Sequence, residues 1–197
     1  MKARELAVAG AFAFTPEVFA DDRGTFCSPL QEDSVAEVLG RPLFGVRQSS
    51  VSRSRRGVVR GVHFTALPVS MAKYVFCTRG MALDYVIDLR RGSPTFGRTD
   101  VIPLDPENGT AVYLPSGVGH LFVSLRDDTT MTYLLSAAYT ADKERAVHPL
   151  DPELGLELPP GLVPVLSERD RTAPTLAQAR ERDLLPAYRD CLLADAA

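Results

Sequence analysis

Six ionisable side chains stand within short apolar segments in the middle of this sequence of 197 residues. They are His63 in RGVHF, Lys73 in MAKYVF, Asp84 and Asp88 in LDYVID, His120 in SGVGHLF, and Tyr133 in TMTYLL. Each has an ordinary structural explanation, such as a hydrogen-bonded strand histidine, a solvent-facing lysine or, for Asp88, a surface ion pair. Because an unpaired charge is costly to bury, their recurrence in one small domain predicts a wet, functional cavity.

These residue types together suit acid–base chemistry. A histidine can act as a general base near neutral pH, a lysine can stabilise an oxyanion, and a tyrosine can donate a proton from another direction. A carboxylate that orients the imidazole and stabilises its cation is also expected. Spacing alone does not select that carboxylate among the 25 acidic residues.

The segment VYLPSGVGHLF (112–122) contains the P-x-G-x-x-H pattern of the second motif of cupin barrels. A cupin metal site also needs H-x-H followed by a glutamate, but Thr65 replaces the second histidine and Lys73 replaces the glutamate. A protonated lysine cannot ligate a metal and repels a divalent cation. No G-x-G-x-x-G follows a strand. We therefore expect neither a metal nor another cofactor, which favours acid–base over dioxygenase chemistry.

Short strands are the elements that must position these side chains. Between residues 72 and 139, β-rich runs alternate with Gly, Pro, Asn and Asp, which predicts an antiparallel sandwich or barrel. Helical patterning is confined to 32–40, ended by Gly40, and to a tail at 173–197, interrupted near Pro186. The proline-rich segment 150–164 predicts a loop that wraps the barrel. We expect one mainly β domain over 1–197: a cupin-like (jelly-roll) antiparallel β-barrel with short helices and a helical C-terminal tail.

The composition of the chain indicates its cellular compartment and the kinds of partner it can bind. Net charge is −3, so the chain as a whole does not attract nucleic acid or anionic membranes. Three widely spaced cysteines suit free thiols in a reducing cytoplasm. There is no signal peptide pattern and no apolar run long enough to span a bilayer. We expect a cytoplasmic protein with no nucleic-acid or membrane partner.

Seven segments, in this order and spacing, carry a resemblance to a known family. They are FADDRGTF (19–26), VRQSSVSRSRRGVVRGVHF (46–64), AKYVFCTRGMALDYVIDLRRGSPTFG (72–97), VYLPSGVGHLFVSL (112–125), YLLSAAY (133–139), LDPELGL (150–156) and LSERD (166–170). The chain closely resembles the dTDP-4-dehydrorhamnose 3,5-epimerase family. The resemblance implies a metal-free cupin barrel, a homodimer with exchanged N-terminal strands, and a dTDP-linked 4-keto-6-deoxyhexose as substrate. The C4 ketone acidifies the protons on C3 and C5, so a base can form an enolate that is reprotonated on the other face.

The resemblance also implies roles for individual residues. It makes His63 the base, Asp170 its paired carboxylate, Lys73 the group that holds the enolate oxygen, and Tyr133 the acid on the opposite face. It places His120, Asp84 and Ser50 among the polar residues at the substrate, Gln48 and Arg60 at the diphosphate, and Tyr139 near the nucleotide. Arg23 and Phe26 match nucleotide contacts made by the partner subunit's N-terminal region, about residues 1–45. On a regular strand Arg60 and His63 face opposite sides, so the assignment of Arg60 requires a bend at Gly61.

The chain departs from the common family pattern at three places. Ser28 replaces a glutamate, Ser50 replaces the asparagine of Q-x-N-x-S, and HFT (63–65) replaces H-Y-Q. These changes resemble the branch that makes deoxysugars for antibiotics and other secondary metabolites, whose members invert C3, C5 or both. Overall likeness alone favours C5 here. Two alternatives stay open: a metal-dependent cupin oxygenase and a non-catalytic barrel that binds a nucleotide sugar.

Overall fold

The chain folds mainly into short antiparallel strands in a computed structural model, which describes residues 1–196. The strands are β1 (Lys2–Glu5), β2 (Phe12–Thr15), β3 (Val18–Asp21), β4 (Gly24–Cys27), β5 (Gln48–Ser54), β6 (Val59–Thr65), β7 (Lys73–Arg79), β8 (Ala82–Ile87), β9 (Thr99–Leu104), β10 (Ala111–Leu114), β11 (Gly119–Ser124), β12 (Thr129–Leu135) and β13 (Glu144–Ala146). The helices are α1 (Glu32–Leu39), α2 (Glu168–Arg171), α3 (Leu176–Glu181) and α4 (Tyr188–Ala196), with a 3-10 turn at Pro152–Leu154. The mainly β, antiparallel fold predicted from the sequence is confirmed.

Two sheets form the body of the domain. One has the strand order β1-β2-β10-β7-β12-β5 and the other β13-β6-β11-β8-β9. Inward side chains such as Val75, Met131, Val86 and Phe122 form the core between them. Neighbouring strands in each sheet are mostly distant in sequence, as in jelly rolls. The described residues thus form a cupin-like structure of two facing sheets rather than one closed barrel.

Side chains alternate between the two faces of each strand, so one set points into the core and the other into one of two outer layers. On β7, Val75 and Cys77 point into the core, whereas Tyr74 points outward and packs against Val35 of α1. The predicted helix at 32–40 is confirmed, because α1 ends at Gly40 in the left-handed conformation (φ +69°). This helix covers the outer face of the first sheet.

The C-terminal third covers the outer face of the second sheet. Phe64, Tyr85 and Leu121 pack outward against Leu154 and Leu176. The segment 150–164 is a loop apart from its 3-10 turn, and the tail is divided into α3 and α4 near Pro186, as predicted. Ala197, the last residue of the predicted tail, lies outside the described residues. None of the described helices has the length and apolar character needed to cross a membrane.

Asp88 is part of a buried network, so the prediction of a surface ion pair is wrong about its location. Both Asp88 and Arg90 are almost fully buried, and Arg90 Nε and Nη2 each donate to the carboxylate at 2.9 Å. Ser93 and Thr95 hydroxyls donate to Asp88 Oδ2 as well. Burial alone would raise the pKa of Asp88, but these hydrogen bonds keep it below its ordinary value. The network fixes the turn after β8 and takes no part in the cavity described below.

Candidate active site

A cavity of about 280 Å³ lies between the two sheets at one end of the sandwich. At this end, the strands carry polar side chains on their inner faces. Elsewhere along the strands the inner faces carry the apolar side chains of the core. The predicted site residues that line the cavity are Gln48, Ser50, Arg60, His63, Lys73, His120, Tyr133 and Tyr139. Residues from separate strands and separate sheets therefore meet at one site.

His63 is paired with Asp170 behind the cavity wall. The distance from His63 Nε2 to Asp170 Oδ1 is 2.6 Å, and the carboxylate is almost fully buried, whereas the imidazole is 23% exposed. Asp170 lies in the short helix α2, whose capping residue Ser167 accepts a hydrogen bond from the Asp170 backbone N–H. This cap fixes the turn that carries the carboxylate toward β6.

The charge state of Asp170 sets the tautomer of His63. Burial alone would raise the pKa of Asp170, but its interactions with His63, Ser167 and the Gly61 backbone keep that pKa below its ordinary value. An ionised carboxylate only accepts hydrogen bonds, so Nε2 of the imidazole must carry the donated proton. In the neutral ring Nδ1 is then the unprotonated nitrogen, and it is available as a base.

An irregularity in β6 brings Arg60 and His63 to the same side of the sheet. His63 pairs with His120 of β11, but Arg60 pairs with Phe122. The two pairs are three residues apart along β6 and only two residues apart along β11. The extra residue is a β-bulge, which reverses the alternation between these two positions. Gly61 lies within it at φ +135°, a conformation that favours glycine. The bend at Gly61 required by the sequence assignment is therefore present, as a bulge.

His120 forms a second histidine–aspartate pair. Its Nε2 lies 2.5 Å from Oδ1 of Asp84, and both side chains are buried. His120 lines the cavity, but Asp84 lies behind it and is absent from the cavity wall. The second carboxylate oxygen of Asp84 has no hydrogen-bond partner among the described residues. Asp84 thus orients His120 and does not line the cavity as the sequence assignment expected.

Lys73 is buried at the start of β7 rather than solvent-facing, with 7% of the residue exposed. Its ammonium lies 3.9 Å from Oε1 of Glu144. Burial lowers the pKa of Lys73, and the nearby carboxylates of Glu144 and Asp84 oppose that change. A protonated Lys73 in this poorly solvated position would interact strongly with developing negative charge.

Tyr133 lies on β12, in the same sheet as Lys73 and opposite the sheet that carries His63. Its hydroxyl lies 3.3 Å from Oγ of Ser52, and its ring meets the His120 ring edge-on, with centroids 6.1 Å apart. Burial raises the pKa of Tyr133, and the Ser52 hydroxyl only partly offsets that effect. The phenol stays protonated throughout the neutral range, so it can serve as a proton donor.

Gln48 joins β5 to the segment that carries Tyr139. Its Nε2 donates to Ser50 Oγ at 2.9 Å, and its Oε1 accepts from the Tyr139 backbone N–H at 2.8 Å. The Tyr139 residue is 50% exposed at the cavity mouth. Ser50, which replaces the family's asparagine, therefore contacts Gln48 directly.

Three polar cavity residues were missed by the sequence reasoning: Ser52, Glu144 and Arg169. Ser52 and Arg169 lie within segments that carry the family resemblance, Arg169 directly before Asp170. Glu144 lies on β13, outside every such segment. Glu144 reaches the cavity because β13 pairs with β6, and the sequence does not reveal that pairing.

Arg23 and Phe26 do not join this cavity within the same chain. They lie on the two-stranded sheet of β3 and β4, where Phe26 is 68% exposed. Arg23 is exposed and its Nη2 lies 2.6 Å from Asp21 Oδ2. The shallow pocket on this hairpin shares no lining residue with the cavity around His63.

The cavity combines the components of a proton-transfer site. One sheet supplies an imidazole oriented by a carboxylate, and the other supplies an ammonium and a neutral phenol. Within residues 1–196, no group of three or more His, Cys, Asp or Glu side chains could hold a metal ion. The arrangement can remove a proton next to a carbonyl, stabilise the resulting oxyanion, and return a proton from another side.

Comparison with known proteins gives matches over nearly the whole chain. A dTDP-4-dehydrorhamnose 3,5-epimerase of Streptomyces griseus is 48% identical over 189 residues, covering 96% of this chain and 94% of that protein. A dTDP-4-dehydro-6-deoxyglucose 3-epimerase of Streptomyces bikiniensis is 45% identical over 183 residues, covering 93% of each.

Solved structures of similar proteins agree with the fold. A 4-keto-6-deoxy sugar epimerase from the novobiocin biosynthetic gene cluster of Streptomyces spheroides has a TM-score of 0.93 and 47% identity, covering 97% of this chain and 95% of that one. A 3'-monoepimerase from Streptomyces bikiniensis, in complex with dTDP-quinovose, has a TM-score of 0.93 and 43% identity, covering 98% and 97%. The profile of one family matches residues 5–178. This chain belongs to that family, the dTDP-4-dehydrorhamnose 3,5-epimerases.

Proposed function

We propose that this protein is an isomerase that inverts C5, C3 or both in a dTDP-linked 4-keto-6-deoxyhexose. The observation that carries the proposal is the convergence of the His63–Asp170 pair, Lys73 and Tyr133 on one cavity. Relatives from antibiotic-producing Streptomyces support a role in making a deoxysugar for an antibiotic or other secondary metabolite.

The reaction begins with loss of a proton from a carbon next to the C4 ketone. Nδ1 of His63 takes the proton, and Asp170 stabilises the imidazolium that forms. The C–H electron pair moves into the ring bond to C4, and the carbonyl oxygen becomes an enolate oxygen. The Lys73 ammonium stabilises that oxygen in a poorly solvated position.

Inversion follows when a proton returns to the opposite face of the sugar. The phenol O–H of Tyr133 breaks as the new C–H bond forms, and the C4 ketone is restored. His63 then releases its proton to solvent, and the Tyr133 phenolate takes one up. His63 and Tyr133 belong to different sheets that face each other across the cavity, which supports roles on opposite faces of the substrate.

The nucleotide half of the substrate needs positive charge and an aromatic surface. Arg60 and Arg169 at the cavity suit a diphosphate, since a guanidinium can form paired hydrogen bonds with phosphate oxygens. Arg23 and Phe26 would contact the nucleotide of a second subunit, in a homodimer of single-domain chains (1–197). Two observations support this exchange: Phe19 and Phe26 are exposed on the hairpin, and β5 is an end strand of its sheet.

The position of inversion is the finer part of the proposal. The relatives named above include an enzyme acting at C3 and an enzyme named for both C3 and C5. The preference for C5 from the sequence stays a prediction, and these names do not favour inversion at C5 alone.

The test is incubation with dTDP-4-keto-6-deoxyglucose in D2O, followed by NMR. An epimerase replaces hydrogen by deuterium at each carbon it inverts, so the spectrum also reports the regiochemistry. A binding protein without catalytic activity incorporates no deuterium above the buffer control. A metal-dependent oxygenase would contain stoichiometric metal and consume O2 instead.

A further inference from the structure

The Lys73 ammonium makes only one ion pair within 4.0 Å in the described part of the chain, with Glu144. The nitrogen lies 3.9 Å from Oε1, and each side chain is 9% exposed. This distance is too long for a direct hydrogen bond, so the ammonium keeps its donors for another acceptor. The interaction is therefore mainly electrostatic and leaves Lys73 free to bind a substrate oxygen.

Glu144 is itself held by Thr65. The two residues are directly opposite each other where β13 pairs with β6. The Thr65 hydroxyl donates to Glu144 Oε2 at 3.1 Å, while Oε1 is the oxygen that faces Lys73. Thr65 thus fixes the carboxylate in the orientation that directs its other oxygen toward the ammonium.

The charged surroundings of Lys73 make Glu144 its main source of stabilisation. Burial disfavours the ammonium, and Glu144 is the carboxylate that opposes this most, followed by Asp84 from β8. Arg169 from α2 acts in the opposite sense. The other titratable or charged groups that line this cavity are Arg60, His63, His120, Tyr133 and Tyr139. Without Glu144, burial and Arg169 would act against protonation of the lysine, with only Asp84 opposing them.

We propose that Glu144, oriented by Thr65, is a positioning residue that keeps Lys73 protonated and available to the enolate oxygen. The inference rests on the proposed function, in which Lys73 stabilises that oxygen. A neutral amine would donate a weaker hydrogen bond and no positive charge. The change to HFT at 63–65 then has a role in this chain, because Thr65 supplies the hydroxyl that holds Glu144.

The charge state of Lys73 can be measured directly by NMR. The sequence contains three lysines, so protein labelled with ¹³C at lysine Cε should give three signals, with the exposed Lys2 as the reference. Loss of one signal in Lys73→Arg assigns the third. In Glu144→Gln we expect the Lys73 titration midpoint to fall by about one pH unit or more relative to wild type. In Thr65→Val it should fall by less, and Thr65→Ser should restore it.

Asp142→Asn is the matched control, since it removes one negative charge from an exposed carboxylate two residues from Glu144. It should leave the Lys73 midpoint unchanged. The same variants should show a kinetic effect. In Glu144→Gln the alkaline limit of kcat, the pH above which kcat declines, should move to a lower value. The change should be similar to the fall in the Lys73 titration midpoint. An unchanged Lys73 midpoint in Glu144→Gln overturns the inference, whatever the activity.

The two proposals can fail separately in these experiments. If wild-type protein gives no deuterium exchange with the keto sugar, the proposed function fails, while the NMR titration still decides the role of Glu144. If exchange occurs and the midpoint moves but the alkaline limit of kcat does not, Lys73 need not be protonated for the reaction, and the inference is overturned at that step.

Discussion

At the scale of single residues, the proposed chemistry depends on the His63–Asp170 pair. An imidazole 2.6 Å from an ionised, buried carboxylate has one nitrogen committed to a hydrogen bond and the other available as a base. Lys73 and Tyr133 have distinct proposed tasks, since an ammonium stabilises developing negative charge and a neutral phenol donates a proton. The predictions at this scale concern which group moves which proton.

His63→Asn should abolish proton exchange at both C3 and C5 and leave the fold intact. No other residue in the described chain combines a partly exposed imidazole with a carboxylate partner at this cavity. A general base contributes about 10²–10⁴-fold, so NMR in D2O should show a loss in that range. A loss of less than about tenfold would contradict the assignment. Far-UV circular dichroism of the variant is the control for folding.

Asp170→Asn should bind the nucleotide normally but turn over slowly. The amide can contact the imidazole, but it cannot stabilise the imidazolium and it permits the wrong tautomer. The measurement is kcat together with the Kd for dTDP by calorimetry. Near-normal kcat would remove Asp170 from the pair.

The same pair predicts a pH dependence of stability. Folding holds the pKa of Asp170 below its ordinary value of 3.8, so its stabilising contribution is complete above that pH and is lost as pH falls through the lowered pKa. The difference in free energy of unfolding between wild type and Asp170→Asn should therefore not shrink from pH 7 to 5 and should shrink below pH 3.8. Urea denaturation at several pH values checks this. A difference that shrinks between pH 7 and 5 would contradict it.

At the scale of elements, the β6 bulge determines which side chains reach the cavity. The strands, the helix at 32–40 and the broken C-terminal tail could be predicted from residue patterns, because alternation, helix-ending glycines and prolines act locally. The orientation of Arg60 could not follow from alternation, since the bulge depends on pairing with β11. Glu144 was missed for the same reason: its proximity to Lys73 arises only when β13 pairs with β6.

Gly61→Ala should destabilise the protein and reduce activity together. An added Cβ would lie 2.5 Å from the His120 carbonyl oxygen and 2.6 Å from Leu121 Cα, and φ is +135°. We expect a loss of about 3 kcal/mol or more in the free energy of unfolding, from backbone strain and steric overlap combined.

Gly24→Ala is the matched control for this clash. Gly24 has φ +129°, but nothing lies within 4 Å of an added Cβ. Gly24→Ala therefore tests the backbone strain without the overlap, and denaturant unfolding should show the smaller loss. Equal losses in both variants would mean that the close approach of β6 to β11 does not constrain Gly61.

At the scale of the whole molecule, the cavity lacks the proposed nucleotide contacts from its own chain. The hairpin of β3 and β4 carries Arg23 and Phe26 away from the His63 cavity. A homodimer that exchanges these hairpins would complete two sites, each built from both subunits. Such a dimer predicts that two differently inactivated chains recover activity when they are mixed, which separate chains could not do.

Mixing two weakly active variants should restore activity. One variant is His63→Asn, and the other combines Arg23→Ala with Phe26→Ala. After subunit exchange, about half of the dimers are mixed and each has one intact site, so activity should approach about a quarter of wild type. Light scattering should report a dimer for each variant. No recovery in mixtures shown to contain mixed dimers would mean that the hairpin does not act on the partner's site.

Tyr133→Phe tests most directly whether His63 and Tyr133 move protons on opposite faces of the sugar. Without the phenol, the enolate is still formed but is reprotonated mainly by His63, so the substrate regains its original configuration. Deuterium exchange and epimer formation can both be measured by NMR on one sample in D2O. Exchange should persist while epimer formation falls by a much larger factor. An equal fall in both rates would contradict it.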